Sequence, residues 1–413
     1  MGQRWIIEGR IDPRWPINTR GNIGEVFPEV ITALTYELAV IPAEAAWRTA
    51  YDELGILSKS DFTSDDPVII GLYGGYSYLN LSYLRMMGVR APGSSAEAID
   101  VSFFGEGSPP PYVPRRGDKN LRSSVRILRT VLKALATREL PPVVADSFTR
   151  TAVIEARRPP LDAPDSVLLD YLDFYRDTFG PVFGNHMKTT AVAAIVTGIL
   201  SDAAVAAGEP GLVTHLIGAA GDVRSAQYSH DLNSIAKVVK NEPKLIEAFD
   251  AGTEGLLDRL ADEPAAEGFL TGFRAFVSKH GHRGPNDWEL SSRTWDNTPE
   301  LALAAIDVMR RSDTDLSPES RLGADQANRE AAIAKIRPDL GFLDRVNFDR
   351  AVKAAPYWAQ AREATRDRAV RASLAAKQAY RELVRRAAER GGNPDPVAVA
   401  LLYPRTELPA YLE

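Results

Sequence analysis

The spacing of apolar residues restricts the fold most, because over long stretches it follows the period of a helix and not the alternation of a strand. Residues 354–390 are rich in Ala, Arg, Glu and Leu and contain no glycine. Gly391 and Gly392 follow this stretch, and glycine is a common stop signal for helices. The pattern predicts one long helix, or two helices in line.

A second helix is predicted over residues 123–139, where apolar side chains recur three and four residues apart. They form one stripe, with arginines and a lysine opposite, and the stripe consists of Val125, Leu128, Val131, Leu132 and Leu135. The apolar run 189–208 contains Ser201 and Asp202, which makes a buried core helix the interpretation and not a membrane span.

Two more helices are marked by signals at their ends. Residues 162–180 begin with Pro164 and acidic side chains and end at Gly180. Residues 296–311 have Thr298 as the expected cap and Pro299 at the first helical position. We predict that the first helix stops at Gly180 and that the second starts at Pro299.

Strand patterns are few and lie near the N-terminus. Residues 67–81 alternate in the manner of a strand, and residues 5–11 resemble an edge strand. Linkers are predicted at 105–118 and around 311–321. The expected fold is therefore mainly α: a mixed α/β portion over 1–118, a helical core over 119–350 that contains residues 278–300, and a long helical segment over 351–413.

Composition excludes several classes of function. The 413-residue chain has a net charge of -6, whereas proteins that bind nucleic acid broadly carry a basic surplus. It has no cysteine, hence no disulfide framework and no thiolate metal site. The N-terminus lacks the apolar run of a signal peptide, so we expect a cytoplasmic protein without a membrane or nucleic-acid partner. Phosphate-binding and dinucleotide-binding glycine motifs are also absent, so no nucleotide site is expected in the chain itself.

Residues 278–300 form a polar stretch, marked by glycine and proline, that is unlike regular helix. It contains His280, His282, Arg283, Asp287 and Glu289. A histidine beside arginine and carboxylates suits proton transfer and the handling of negative charge. The structural alternative is a hydrogen-bond network in which these side chains pair with the polar backbone groups of a buried loop. We expect no metal site here, because no further ligand has the required spacing, and we expect residues 281–295 to line a cavity walled by apolar helix faces.

Two tryptophans in the same stretch, Trp288 and Trp295, are more typical of core or lid packing than of a stacking platform. Asn22 and Glu25 lie in a short polar turn ahead of an apolar segment. Arg362 and Arg366 stand one helical turn apart in the long C-terminal helix. They could share an anionic oxygen of a substrate, or simply belong to a solvated helix face.

Several segments resemble the central region of the phosphoenolpyruvate synthase-like phosphotransferases, the group that includes rifampicin phosphotransferase. The resemblance rests, in order along the chain, on "NIGEVFPEV" from Asn22, on "YSYLN" ending at Asn80, on "GHRGPNDWELSSRTW" from Gly281, and on "DPVAVALLYPRTEL" near the C-terminus. Two positions depart from the family pattern: Asp287 replaces the usual glutamate, and Arg293–Thr294 replaces a Pro–Arg pair.

The resemblance implies a part of a larger machine. In that family an ATP-grasp domain phosphorylates a histidine on a swivelling domain, which then exchanges the phosphoryl group with a bound substrate. The sequence shows neither of these domains, so we expect ATP and Mg²⁺ to act only through separate ATP-grasp and phosphohistidine-carrier partners. The chain is then the substrate-binding component, and it acts on a small, largely apolar, hydroxylated molecule.

Roles for individual residues follow from this interpretation. His282 would accept the substrate hydroxyl proton, oriented by Asp287 or Glu289, and Arg283 and Arg362 would neutralise the moving phosphoryl charge. Residues assigned to the substrate are His280, Asn22, Glu25, Asn80, Trp295, Arg362 and Arg366. Two alternatives stay open: a cofactor-free lyase or hydratase that uses a histidine–carboxylate pair, and a non-catalytic protein that binds a small molecule.

Overall fold

The computed structural model describes residues 7–62, 64–91, 95–97, 99–100, 109–218, 224–312 and 318–412. In these ranges it is mainly α-helical, with one small sheet, as the sequence predicts. The strands are β1 (Asn18–Thr19), β2 (Ile70–Tyr73) and β3 (Tyr76–Asn80). The helices are α1 (Ile23–Val26), α2 (Ala33–Thr35), α3 (Ile41–Glu53), α4 (Leu81–Arg90), α5 (Leu121–Ala136), α6 (Pro142–Ala156), α7 (Asp165–Ala206), α8 (Val213–Gly218), α9 (Arg224–Lys240), α10 (Pro243–Asp250), α11 (Leu256–Arg259), α12 (Glu267–His280), α13 (Glu300–Arg311), α14 (Pro318–Ile336), α15 (Phe342–Ala372), α16 (Leu374–Glu389), α17 (Pro396–Leu402) and α18 (Leu408–Leu412).

Helix α7 corrects the prediction of a helix end at Gly180. It runs unbroken for 42 residues and unites the two segments predicted separately at 162–180 and 189–208. Gly180 serves a close helix crossing, because a Cβ atom there would lie 3.0 Å from the carbonyl oxygen of Pro42 in α3. By length and composition α7 could cross a membrane. In this fold it packs on α3, α6, α15 and α16, as expected for a core helix.

The predicted long C-terminal helix is present as two helices in line, α15 and α16, separated at Ser373. It begins at Phe342, earlier than the glycine-free stretch indicated, and ends before Gly391, which has the positive φ of 96° that favours glycine. Helix α13 is also confirmed, but Pro299 is its N-cap and Glu300 its first residue. That shift by one residue is within the usual uncertainty of helix ends.

The sheet is antiparallel, with strand order β1–β3–β2. The predicted strand region 67–81 forms the hairpin of β2 and β3, turned by Gly74 and Gly75, which both have positive φ. The edge strand predicted at 5–11 is not formed over residues 7–11, where Gly9 donates one backbone hydrogen bond to Leu72. Residues 5 and 6 lie outside the described ranges.

Three apolar clusters make up most of the core. The first joins α3, α7 and α16 and extends from Trp15 to Leu408, so it draws on both ends of the chain. The second joins α9, α10, α12 and α13. The third surrounds the C-terminal half of α7 and includes Phe348 of α15. The proposed boundaries at 118 and 350 stay a prediction, and the second of them falls inside α15.

Helix α5 confirms the helix predicted at 123–139, but its apolar stripe is divided. Leu135 is buried, whereas Val125, Leu128 and Leu132 remain between 44% and 51% exposed. The inner face is formed by other residues, among them Ile127 and Ala134. Of the predicted linkers, residues 109–118 contain no helix or strand, while 105–108 and 313–317 lie outside the described ranges.

Candidate active site

The polar stretch begins inside α12, which ends at His280, and continues as a closed loop from Gly281 to Pro299. Two backbone hydrogen bonds close it: Trp295 donates to Arg283 (2.8 Å), and Asp296 donates to Gly281 (3.0 Å). Gly284 lies where these two ends meet, and a side chain there would collide with the carbonyl oxygen of Arg293. The glycines that mark the loop in the sequence are therefore required by close backbone approach.

Glu289 anchors this loop to the N-terminal portion. Its buried carboxylate accepts five hydrogen bonds, from the Thr32 amide and hydroxyl, the Thr35 hydroxyl, and the Ser291 amide and hydroxyl. Glu289 makes no contact with His282, so the prediction that it orients this histidine is wrong. Its lone pairs are occupied by hydroxyl and amide donors from two distant parts of the chain.

Lys377 of α16 attaches the loop 281–299 to the helical core. The sequence analysis did not identify this residue. Its fully buried ammonium donates to the carbonyl oxygen of Asp287 (3.0 Å) and to the hydroxyl of Ser292 (2.9 Å). Burial lowers the pKa of Lys377 to about 8, against the opposing effect of the Asp287 and Glu289 carboxylates. A lysine within a run of alanines and arginines gives no local sign that it points inward.

His282 pairs with Asp367 of α15, a residue that the sequence interpretation missed. The histidine is buried, and its Nε2 lies 2.9 Å from Asp367 Oδ1. Burial alone would raise the pKa of the Asp367 carboxyl, but His282 and Arg368 lower it well below its usual range. Asp367 and not Asp287 therefore orients the ring. Within the described ranges Nδ1 of His282 has no hydrogen-bond partner, which leaves that nitrogen available to a substrate proton.

Asp287 lies between two arginines. Arg283 approaches its Oδ2 to 3.3 Å and Arg366 to 3.6 Å, while its Oδ1 accepts the Gly284 amide. The first two distances are those of loose ion pairs and not of aligned hydrogen bonds. Both guanidiniums thus keep donors for another anion, and Arg283 also lies over the ring of Tyr228 at 5.6 Å.

His186 of α7 completes the cluster and was likewise absent from the sequence interpretation. It stacks on Trp288 with ring centres 6.0 Å apart, and its Nδ1 is within 3.5 Å of the Thr365 hydroxyl. Burial, together with the charges of Arg362 and Arg366, lowers the pKa of His186 to about 3. Trp288, as expected, is a packing residue.

Acid should destabilise the fold through His186. The folded state holds this ring neutral down to about pH 3, whereas the unfolded chain takes up a proton near pH 6.5. Between these values the unfolded state binds more protons, so the free energy of unfolding should fall by about 1 kcal/mol per pH unit as pH decreases. Urea titrations at intervals from pH 7.5 to pH 4.5 would measure this slope.

A matched pair of variants isolates the contribution of His186 to acid sensitivity. His186→Gln cannot titrate and should flatten the slope between pH 6.5 and 4.5, while His215→Gln, at an exposed position, should leave it unchanged. An unaltered slope in His186→Gln would assign the acid sensitivity to another group, such as His280, whose pKa is also lowered.

Two other predicted site residues belong to the packing around the loop. His280 Nε2 donates to the carboxylate of Asp231 of α9 at 2.8 Å, and burial lowers the pKa of His280 while Asp231 opposes that shift. Trp295 packs against Tyr228 and Phe276, at 5.5 and 5.2 Å between ring centres. Both residues connect the loop to the second apolar cluster, and their assignment to the substrate stays a prediction.

Three residues assigned to the substrate lie away from this cluster. Asn80 is buried and caps α4: its Oδ1 accepts the Tyr83 amide (3.0 Å) and its Nδ2 donates to Trp15 (2.9 Å). Asn80 therefore has a structural use that occupies its amide group. Asn22 and Glu25 lie exposed at α1, and neither side chain forms a hydrogen bond or ion pair with the described part of the loop.

A cavity of about 570 Å³ lies between α3, α6 and α7. Gly180, Gly184 and Lys188 of α7 line it, and none of residues 281–295 does, so it is not the cavity predicted at the loop. His186 is two residues beyond Gly184, roughly 200° around the helix, and faces the other way. Among the described residues, no group of three or more metal-ligating side chains comes together.

Comparison with known proteins finds one matching domain family and one similar protein. Residues 185–363 match the family described as rifampicin phosphotransferase fourth domain, a range that contains His186, the whole loop and Arg362. This part of the chain is similar to that domain. The resemblance noted in the sequence is thereby confirmed.

One relative extends the similarity beyond the matched residues. The prodigiosin synthesizing transferase PigC of Serratia marcescens is 23% identical over 399 residues, which cover 90% of this chain. The chain spans 43% of the length of that relative. Both matches are to transferase-related proteins.

Proposed function

We propose that this chain is the substrate-binding component of a phosphoenolpyruvate synthase-like phosphotransferase, with the site formed by the loop, α7 and α15. Its substrate is a small, largely apolar molecule with a hydroxyl group, and the phosphoryl group arrives from separate ATP-grasp and phosphohistidine-carrier partners. The observation that carries the proposal is the pair of arginines, Arg283 and Arg366, that share the carboxylate of Asp287 beside the His282–Asp367 pair.

The charge around Asp287 supports the handling of a phosphoryl group. Two guanidiniums face one carboxylate, and the charge of a third, that of Arg362, contributes to the lowered pKa of His186. Arg362 itself is half exposed, and its nearest carboxylate is Glu363 at 3.6 Å. Phosphoryl transfer needs charge stabilisation more than covalent help from the protein, and arginine forks match phosphate oxygens. A third arginine that remains half exposed is free to move toward an incoming group.

The His282–Asp367 pair supplies the other requirement, a base for the substrate hydroxyl. Asp367 binds Nε2, which places the proton of the neutral ring on that nitrogen and leaves the Nδ1 lone pair for the hydroxyl. In transfer, the hydroxyl oxygen would attack phosphorus and its proton would move to Nδ1. The bond to the phosphohistidine nitrogen of the carrier would break, the bonding electron pair would stay on that nitrogen, and the proton held on Nδ1 would pass to it. Atoms and charges then balance without another reagent.

Phenyl phosphate is a suitable probe of this site, because it joins an apolar ring to a phosphoryl group. Calorimetric titration of the purified chain should show binding that is at least tenfold tighter than binding of phenol. Arg366→Ala should abolish the difference, because the phosphoryl group loses one of its two guanidiniums. Arg385→Ala, at an exposed ion pair on α16, is the matched control and should retain it.

Two results would decide against a phosphotransferase component. Equal affinity for phenol and phenyl phosphate would remove the reason for assigning phosphoryl chemistry to the arginines, and would favour the lyase or binding-protein alternatives. Incorporation of label from radioactive ATP by the purified chain alone would contradict the proposal, since we expect only the partner proteins to use ATP.

A further inference from the structure

Helix α5 presents an apolar stripe to the outside of the molecule. Leu121 is 82% exposed, Val125 44%, Leu128 47% and Leu132 51%. The four residues follow spacings of four, three and four, so they lie on one side of the helix. Large aliphatic side chains exposed singly are common, but a continuous row of four on one helix marks a surface that binds something.

Basic residues accompany this stripe. Helix α5 contains Arg122, Arg126, Arg129 and Lys133 and no aspartate or glutamate, although the whole chain has a net charge of -6. Arg126 pairs with Asp52 at 3.1 Å. Arg122, Arg129 and Lys133 are exposed and form no ion pair with any described residue. The outer surface of α5 thus combines aliphatic side chains with three cations that no carboxylate neutralises.

The opposite side of α5 is firmly attached to the fold. Ile127, Ala134 and Leu135 are buried, Thr130 donates to the Leu54 carbonyl (2.9 Å), and Trp358 donates to the Ala134 carbonyl (3.1 Å). The helix is therefore preformed, and its outer face needs no rearrangement to meet a partner. That face is the outside of one helix and not a groove, which suits a flat surface better than an inserted peptide.

We propose that α5 binds the surface of an anionic lipid bilayer. A basic amphipathic helix with leucine and valine on its apolar side is the usual form of an interfacial helix, which lies in the plane of the headgroups. Charge complementarity selects this occupant, because anionic headgroups neutralise Arg122, Arg129 and Lys133. A second copy of the chain would instead bring the same cations against them.

Attachment to a bilayer also fits the substrate, and this argument rests on the proposed function. A small, largely apolar molecule partitions from water into the apolar interior of a bilayer. A component that takes up such a molecule meets a higher concentration of it at the membrane surface. The surface attachment inferred here is distinct from membrane spanning, since α7, the helix with the length to span, packs within the core.

Co-sedimentation with lipid vesicles tests the proposal on the full chain. The protein should sediment with vesicles of equimolar phosphatidylglycerol and phosphatidylcholine, and binding to phosphatidylcholine alone should be at least tenfold weaker. The combined variant Leu121→Gln, Leu128→Gln, Leu132→Gln should bind the anionic vesicles at least tenfold more weakly. The variant Arg122→Gln, Arg129→Gln, Lys133→Gln should lose the preference for anionic lipid.

A matched control places glutamine at two exposed apolar positions on other helices, Val205 and Val308, and should bind like the unaltered protein. Absence of binding to anionic vesicles, or equal binding by the leucine variant and the control, would overturn the proposal. A dimer in solution that the leucine variant disrupts would assign the face to a second copy and would overturn it too. Arg366→Ala should still bind vesicles, which separates this test from that of the proposed function.

Discussion

Glu289→Ala should lower the free energy of unfolding by about 3 to 5 kcal/mol, because it removes a buried carboxylate and leaves its donors without a partner. Those donors belong to Thr32, Thr35 and Ser291, and all of them are buried. Since these bonds connect residues far apart in the chain, the loop should also detach from the N-terminal portion. Urea unfolding monitored by tryptophan fluorescence would measure both effects.

Two further variants serve as controls for the loss of stability in Glu289→Ala. Glu289→Gln keeps the shape but replaces one accepting oxygen with an amino group, so its cost should be smaller than that of the alanine variant. Glu254→Ala, at an exposed glutamate, should change stability by no more than about 0.5 kcal/mol. If Glu289→Ala were as stable as Glu254→Ala and inactive, the carboxylate would be a catalytic group and not an anchor.

His282→Ala should lower the rate of phosphoryl transfer roughly a hundredfold or more in a system reconstituted with both partners, the usual effect of losing a positioned base. Stability should change much less, because Asp367 keeps Arg368 at 2.6 Å and is partly open to water. Thermal melting beside turnover compares the two quantities. A large loss of melting temperature with activity preserved at low temperature would show that His282 serves the fold.

Asp367→Asn separates positioning from simple packing at His282. An asparagine can hold the ring but no longer favours the imidazolium that forms during proton transfer, so turnover should fall while phenyl phosphate binding stays the same. Arg150→Ala, at an exposed ion pair on α6, is a control for loss of a charge. Unchanged turnover in Asp367→Asn would contradict the role given to the pair.

Local signals were enough to predict several elements of this fold, among them α5, α13 and the hairpin of β2 and β3. The glycine-free stretch before Gly391, the alternation around Gly74 and Gly75, and the acidic start of α7 all act over a few residues. The continuation of α7 past Gly180 depends instead on a crossing with Pro42, more than a hundred residues earlier. A glycine that ends one helix and a glycine that admits a neighbouring helix look the same in a single sequence.

The site shows the same division. The sequence pointed to the loop and to His282, Arg283 and Asp287, because their density of polar groups is local. It missed Asp367, Lys377 and His186, which reach the loop from α15, α16 and α7 across 85 or more residues. Lys377 in particular follows a helical pattern in which nothing but the tertiary fold decides which lysine faces inward.

Helix α7 has a consequence for the way in which the protein loses its structure. Its first half contributes Phe179 and Val182 to one apolar cluster, and its second half contributes Val192 and Leu200 to another. The helix continues from one cluster into the other, although Pro181 lacks the amide that would donate one of its backbone hydrogen bonds, and the region that matches the rifampicin phosphotransferase fourth domain begins at residue 185, inside the helix. Disruption of either apolar cluster therefore weakens the helix on which the packing of the other cluster depends. We therefore expect the two clusters to unfold as one cooperative unit, and we expect amides of this helix to be among the slowest to exchange with solvent.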